Sequence, residues 1–347
     1  MTVRFRYIVL LLGLAWSFGG FAQKPWNGAL PKIRSSSDFS VWTAVNYNLS
    51  QFVYSTGTES NSIDYMSNSR LLQTIALDYA SYTLQYTFRL PFNTLDNNSP
   101  LSDYDRFSTG YGAENWEIDA YVGRVKGWFD VSDSNETDNG EPINLKEDSR
   151  YRSDIQMYTA GLTAFYFLSE KYRYSHAMKF AYLQNKSGFT FYSSLKHKYQ
   201  WVSGDSAFYP TGMRLIENPM NGLQRLFIFE SSITFGFTGL WTNKNWFLRG
   251  LIGFGPGIQI QNYNKNGKSR TRPFIAPASD LKLSFGYKTN GFYTSINFPV
   301  DLMFVFLPDE SNYFQHNTFF SFSVGFQMHD LMKAANKRNL RDGAETF

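Results

Sequence analysis

The sequence predicts an all-β chain, a closed antiparallel transmembrane β-barrel of about twelve strands behind an N-terminal export signal. Three observations carry that prediction. A two-residue alternation recurs along the chain: from Ser81 to Leu90, polar Ser81, Thr83, Gln85, Thr87 and Arg89 interleave with Tyr82, Leu84, Tyr86, Phe88 and Leu90. Residues two apart share one face of a strand, so this strand has one apolar and one polar face. The apolar faces end in Tyr, Phe and Trp, and aromatics make up 18% of a chain whose average is polar, a mixture suited to a barrel with lipid outside and water within. A signal-like start precedes every strand.

That start is Arg4 and Arg6, the apolar run Tyr7 to Trp16, and the small-x-small site Gly20-Phe21-Ala22 before Gln23. The run is too short for a spanning helix, which needs about 20 apolar residues, so residues 1–22 are expected to be cleaved after Ala22. The chain has no cysteine, which excludes a lipoprotein anchor and disulfides. Residues 23–37, with Pro25, Pro31 and Ser35–Ser37, form a flexible lead; 38–328 form the barrel and 329–347 a periplasmic tail. The uniform texture of the middle stretch argues for one domain. A net charge of +4 that includes Arg4 and Arg6 is too small to imply nucleic acid.

The strands are expected at 38–49, 70–79, 81–90, 114–129, 153–168, 173–183, 187–202, 226–238, 245–262, 278–288, 291–305 and 316–328. Lipid-facing sets follow from parity, such as Phe227, Phe229, Ile233, Phe235 and Phe237, or Phe320, Phe322, Val324, Phe326 and Met328. A jelly roll or lipocalin core gives the same alternation, but rings clustered at strand ends suit an interfacial girdle. Short connections at Tyr79–Ser81, Leu183–Ser187, Gly239–Lys244 and Lys288–Gly291 alternate with longer ones at 50–69, 91–113, 203–225, 263–277 and 306–315, which puts both termini in the periplasm. Residues 130–152 break this rule: a long connection falls where a short turn is due. Its acidic residues include Asp138-Asn139-Gly140-Glu141, which lacks EF-hand spacing and reads as a solvated loop rather than a metal site.

No group of residues forms an active-site motif, and neither a cofactor nor a catalytic residue is expected. The four histidines are His176, His197, His316 and His329. Ser175 and His176 are adjacent and so point to opposite faces, while His176 and His197 fall on lipid-facing parities. The glycines of Gly250–Gly257 lie inside a strand pattern, which argues against a phosphate loop and for a bend or bulge. The lumen carries the chemistry: by parity Asp78, Glu117, Asp119, Glu230, Asp280 and Asp301 face inward, against Arg89, Arg173, Lys179, Lys196, Lys198, Arg249 and Lys282. A selective pore shows one dominant sign at its constriction. This near balance suits charges that pair across the lumen and plug it.

Three stretches carry a resemblance: Lys171-Tyr172-Arg173-Tyr174-Ser175-His176, Gln184-Asn185-Lys186-Ser187-Gly188, and Gly204-Asp205-Ser206-Ala207-Phe208-Tyr209-Pro210. With the Asn68–Leu90 hairpin and the closing Phe319–Gln327 strand, the chain resembles an uncharacterised domain-of-unknown-function family of Bacteroidota outer-membrane β-barrel proteins. One departure is Gly188-Phe189 where the family has a run of small residues. The resemblance implies an outer-membrane barrel of unknown activity and supplies no catalytic residues. The expected function is a structural, assembly or partner-binding envelope component with a charged, plugged lumen. Two alternatives stand beside it: a channel or solute-binding barrel for small polar or amphiphilic molecules touching Arg89, Lys196, Lys198 and Arg249, and a lipid-modifying enzyme. Expected partners are outer-membrane lipids and lipopolysaccharide, the barrel-assembly machinery and an envelope protein.

Overall fold

A computed structural model describes residues 39–327, apart from 57, 80, 93–94, 96–99, 113–114, 132–136, 139–140, 143–150, 170–186, 209–221, 266–267, 290–291 and 307–310. The signal, the lead, the strand expected at 173–183 and the tail therefore lie outside the described residues. The strands are β1 (Phe39–Asn48), β2 (Gln51–Thr56), β3 (Thr58–Met66), β4 (Leu71–Tyr79), β5 (Tyr82–Arg89), β6 (Asp103–Gly112), β7 (Trp116–Asp130) and the two-residue pair β8 (Thr137–Asp138) and β9 (Glu141–Pro142). They continue with β10 (Tyr151–Phe167), β11 (Gly188–Ser203), β12 (Leu223–Asn243), β13 (Trp246–Lys265), β14 (Lys268–Lys288), β15 (Phe292–Phe306) and β16 (Ser311–Gln327).

Twelve of these close a barrel in the order β1-β4-β5-β6-β7-β10-β11-β12-β13-β14-β15-β16, with β16 returning to β1 from Ser40↔Gln327 to Asn48↔Phe319. All the ladders are antiparallel, so no edge is left at the closure. The β2–β3 hairpin stands in the wall above the short strands β4 to β6: β2 continues the ladder on β16, and β3 reaches β7 through Tyr65↔Asp130 and Met66↔Phe129.

Polarity is inverted relative to a soluble barrel. Alternate residues of each strand present Leu84, Phe235, Ile252, Phe285 and Phe322 outward, all exposed, while Thr83, Thr234, Ser284 and Ser323 are buried inside. Water would penalise such an apolar belt; hydrocarbon does not. Ring pairs fence the belt at one end: Trp116 with Tyr166 at 4.8 Å, Tyr82 with Tyr111 at 4.9 Å and Trp246 with Tyr287 at 5.0 Å. At the other end Tyr158 meets Trp201 at 5.8 Å beneath the Arg124 guanidinium. Above that fence the outward positions turn polar at Lys126, Gln156, Asn262 and Ser269, so β10 to β14 run beyond the belt. Among the described residues no helix is long and apolar enough to cross a membrane.

Four readings of the sequence are corrected. Residues 103–112 form β6 rather than loop: Asp103 and Asp105 on its outer face and Gly110 and Gly112 on its inner face dilute the alternation. That extra strand makes 130–152 a connection at the same end as the other long ones, while β10 pairs directly with β11 and so puts the long connection from Phe167 to Gly188 at the short-turn end. Residues 263–277 are mostly strand, because β13 and β14 stay paired up to Lys265↔Lys268. Gly250–Gly257 form no bulge, since the same ladder runs through them in unbroken register. The irregularity in the β7–β10 wall lies opposite Gly127, whose φ of 84° is open to glycine at little cost. There the register shifts by extra residues of β10 between Arg152 and Gln156, and Trp128 turns into the barrel, fully buried.

Candidate functional site

Two aromatic layers divide the interior. The layer beyond the belt gathers side chains from opposite walls, with Phe52 on Trp128 at 4.8 Å and on Tyr65 at 4.9 Å, joined by Met157, Val202, Tyr263, Met303 and Tyr313. Hydrogen bonds cross the barrel at this level: Gln200 donates to the Tyr313 hydroxyl, and the Gln315 amide reaches Met157 Sδ at 3.2 Å. The layer at the other end holds Phe165, Phe167, Tyr192, Leu240, Phe247, Leu251 and Tyr293, with Trp42 against them. Its rings pack over inward glycines of the wall, where a side chain would collide with them. A Cβ on Gly253 would stand 2.2 Å from the Tyr192 hydroxyl, and one on Gly325 2.1 Å from the Tyr293 ring.

Between the layers lies a polar chamber of about 390 Å³. Its charged lining is Arg106, Lys196, Lys198, Arg249 and Lys282 against Asp78, Glu117, Asp119, Asp280 and Asp301. Lys196 and Lys198, two residues apart on β11, both project inward and reach past β12 and β13. Lys196 Nζ meets Asp280 Oδ1 on β14 at 2.6 Å and the Ser279 carbonyl at 2.7 Å; Lys198 pairs with Asp301 on β15. Asp280 also accepts from Ser194 at 3.2 Å, from Tyr192 at 3.3 Å and from Thr234. A buried charge is tolerated when paired and hydrogen-bonded in this way.

The remaining positions singled out from the sequence fall as follows. Asp78 accepts from Ser40 at 3.3 Å and from Trp42 Nε1 at 3.2 Å. Glu117 is buried in the chamber wall. Glu230 is buried next to the chamber and accepts from Gln259 at 2.8 Å. Arg249 donates to Asn297 at 3.4 Å. Lys282 lies over the Phe165 ring at 5.3 Å and, like Asp119, makes no ion pair among the described residues. Arg89 has inward parity but is not in the chamber: it sits at the end of β5 and pairs with exposed Asp103 at 3.2 Å. Arg173 and Lys179 lie outside the described residues. Arg106, which packs on Tyr121 at 4.0 Å, is not among the inward charges expected from parity, because its strand reads as loop in the sequence.

A second polar cluster that parity does not reveal lies outside the membrane-spanning segments. Arg152 forms a forked pair with Asp154 at 2.8 and 2.9 Å and donates to the Ala207 carbonyl at 3.0 Å and the Ser206 hydroxyl at 2.8 Å. Asp154 in turn accepts from the backbone N–H groups of Asp205 and Ser206 at 3.0 and 3.2 Å. This latch holds the Gly204–Phe208 segment so that Phe208 is buried in the aromatic layer, its carbonyl taking the Tyr65 hydroxyl at 2.7 Å. Burial alone would raise the Asp154 carboxyl, but Arg152 and the Ser206 N–H hold it down at about 2. On the β2–β3 hairpin, burial pushes Asp64 up to about 6; the Gln51 hydrogen bond opposes that rise and Asp130 adds to it. The sequence signal for the latch was Gly204–Pro210, noted as a resemblance with no role attached.

His197 and His316 lie on outward parities, stacked on Phe229 and Phe314. His176 and His329 are outside the described residues. Among the described residues no cluster of His, Cys, Asp and Glu is arranged to hold a metal ion.

Solved structures similar to the chain include the outer-membrane protease OmpT of Escherichia coli, at 7% identity and TM-score 0.42, covering 86% of this chain and 100% of that one. Others are the toluene transporter TbuX of Ralstonia pickettii, at 9% and 0.28 over 85% and 90%, and the outer-membrane protein OmpT of Vibrio cholerae, at 9% and 0.32 over 86% and 100%. No curated protein matches the sequence. The pattern of one family matches residues 34–328, nearly the whole barrel, and the chain belongs to that family, described as a domain of unknown function (DUF4421).

Proposed function

We propose that the protein is an outer-membrane β-barrel whose lumen is closed along its axis, an envelope component that does not conduct ions. The observation that carries this reading is the pair of aromatic layers, each built from wall side chains and, at the outer one, tied across the barrel by Gln200 and Gln315. An open pore keeps a continuous wet path with one dominant charge sign; here the chamber's opposite charges pair with each other. The apolar belt and its ring fences support residence in an outer membrane after cleavage at Ala22. Single-channel recording in planar bilayers tests the reading. The wild-type protein is expected to show no conductance steps, and steady open-channel current defeats it.

A second reading, solute binding, is favoured by the chamber itself, which falls within the size range of small-molecule sites. An enzymatic reading has less support, since His197 and His316 lie on outward faces, away from the chamber.

A further inference from the structure

The ladder between β14 and β15 starts at Lys288↔Tyr293 and stops at Leu281↔Val300. Beyond that point residues 268–280 of β14 pair with β13 alone, and residues 301–306 of β15 pair with β16 alone. The wall is therefore unzipped from mid-belt to the outer end. Ile275, beside the gap, is 74% exposed, more than any other large apolar side chain among the described residues. Pro273 and Pro277 line the gap and have no N–H to donate across it. A sheet edge left open in hydrocarbon is costly, so something must lie against it.

The chamber reaches this gap. Its lining includes outward-facing Leu281, Leu283 and Val300 together with inward Lys282, Ser284 and Asp301. Asp280 and Asp301, immediately beyond the last paired couple, are each held back by a lysine of β11, which keeps the two lips of the gap anchored separately. The charged lining is balanced in sign. Arg106, Lys282 and Asp119 remain without an ion pair among the described residues, so they offer two cations for a phosphate and one carboxylate for an ammonium.

We propose that the chamber takes the zwitterionic head group of a single-chain amphiphile, admitted sideways from the membrane between β14 and β15, with its chain left outside along Leu281, Leu283 and Ile275. This rests on the axially closed reading and names the class of molecule the barrel binds.

The probe is lysophosphatidylethanolamine, added to the folded protein in detergent and counted by native mass spectrometry, with anionic lysophosphatidylglycerol as the comparison. One saturable copy of the zwitterion is expected, retained about tenfold better than the anion; equal retention of both, or unsaturable uptake, overturns the proposal. Ser279→Cys with Leu302→Cys extends the register of Leu281↔Val300, and no native cysteine interferes. Oxidation of that pair is expected to cut retention at least tenfold, with recovery on reduction. Leu281→Trp with Val300→Trp fills the gap without a new bond and decides the matter if the disulfide does not form. Retention unchanged in the closed variants overturns sideways access. Conductance by the wild-type protein would instead defeat the axial closure, so the two failures read out separately.

Discussion

Asp280 and Asp301 lie on neighbouring strands one residue beyond Leu281 and Val300, the last couple that β14 and β15 share, and each is bound by a different lysine of the same distant strand. Two carboxylates next to each other at a strand junction would repel; a lysine on each removes that repulsion and ties the junction to the opposite wall. The Lys196–Asp280 pair is nearly enclosed, with side chains 6% and 5% exposed. Lys196→Met leaves Asp280 charged and buried and should cost about 3–5 kcal/mol in unfolding measurements. Adding Asp280→Asn should recover much of that loss, and a double variant no better than the single one would contradict the pairing.

The facing of β5 can be tested at adjacent residues. Leu84 points outward and is 44% exposed, whereas Thr83 is buried beside Asp78. Leu84→Arg should cost about 2–4 kcal/mol in urea titrations of the lipid-inserted barrel. Thr83→Arg should cost less, because Asp78 stands opposite to receive it. Equal costs would reverse the assignment of faces.

Gly325 supports the ring of Tyr293. Gly325→Ala should lower stability by about 1–3 kcal/mol through overpacking, and Tyr293→Ala in the same chain should relieve the clash while leaving a cavity. Differential hydrogen exchange at β15 and β16 would show whether the strain is local.

The latch should depend on pH. The Asp154 carboxyl sits at about 2, below its ordinary 3.8, so its contribution to stability is complete above about 4 and disappears as pH falls through 2. Asp64 runs the other way: held at about 6, it costs stability as pH rises from about 4 past 6. Both groups are partly exposed, which limits each effect to about 1 kcal/mol after screening. Asp154→Asn should therefore speed amide exchange at residues 204–208 at neutral pH, while Asp64→Asn should stabilise the hairpin above pH 6. An Asp154→Asn latch as protected as the wild type would remove Asp154 from it.

The final ladder ends at Gln327, so removal of residues 331–347 should leave insertion and heat-modifiable migration on gels intact. Failure to insert would place the assembly signal at Phe347.

Much of this architecture was legible because a strand face is a local property: Leu84 and Thr83, or Phe285 and Ser284, declare their sides by parity alone. The inward charges of β11 and β14 were legible for the same reason, and so was their near balance. What parity cannot supply is who meets whom across the lumen. Lys196 and Lys198 look equivalent in sequence, and only the closed ring sends one to Asp280 and the other to Asp301. Arg106 escaped because Asp105 and Thr109 put polar groups on the outer face of β6, and a strand without a clean apolar face reads as loop. The ring-seating glycines escaped because a missing Cβ is informative only when the ring opposite is known.

Among the described residues the aromatic layer beyond the belt is built almost entirely from strand side chains, with Phe208 as the one contribution from a connection. If the lumen is closed as proposed, permeability is thereby uncoupled from the connections that give this layer no side chain. Connections that contribute no side chain to the layer can diverge, lengthen or carry an inserted epitope while the layer stays as it was. Barrels whose constriction is a folded-in loop lack that freedom, since each change at the surface is also a change in the gate. On the proposed reading, this wall serves as a display scaffold that does not leak.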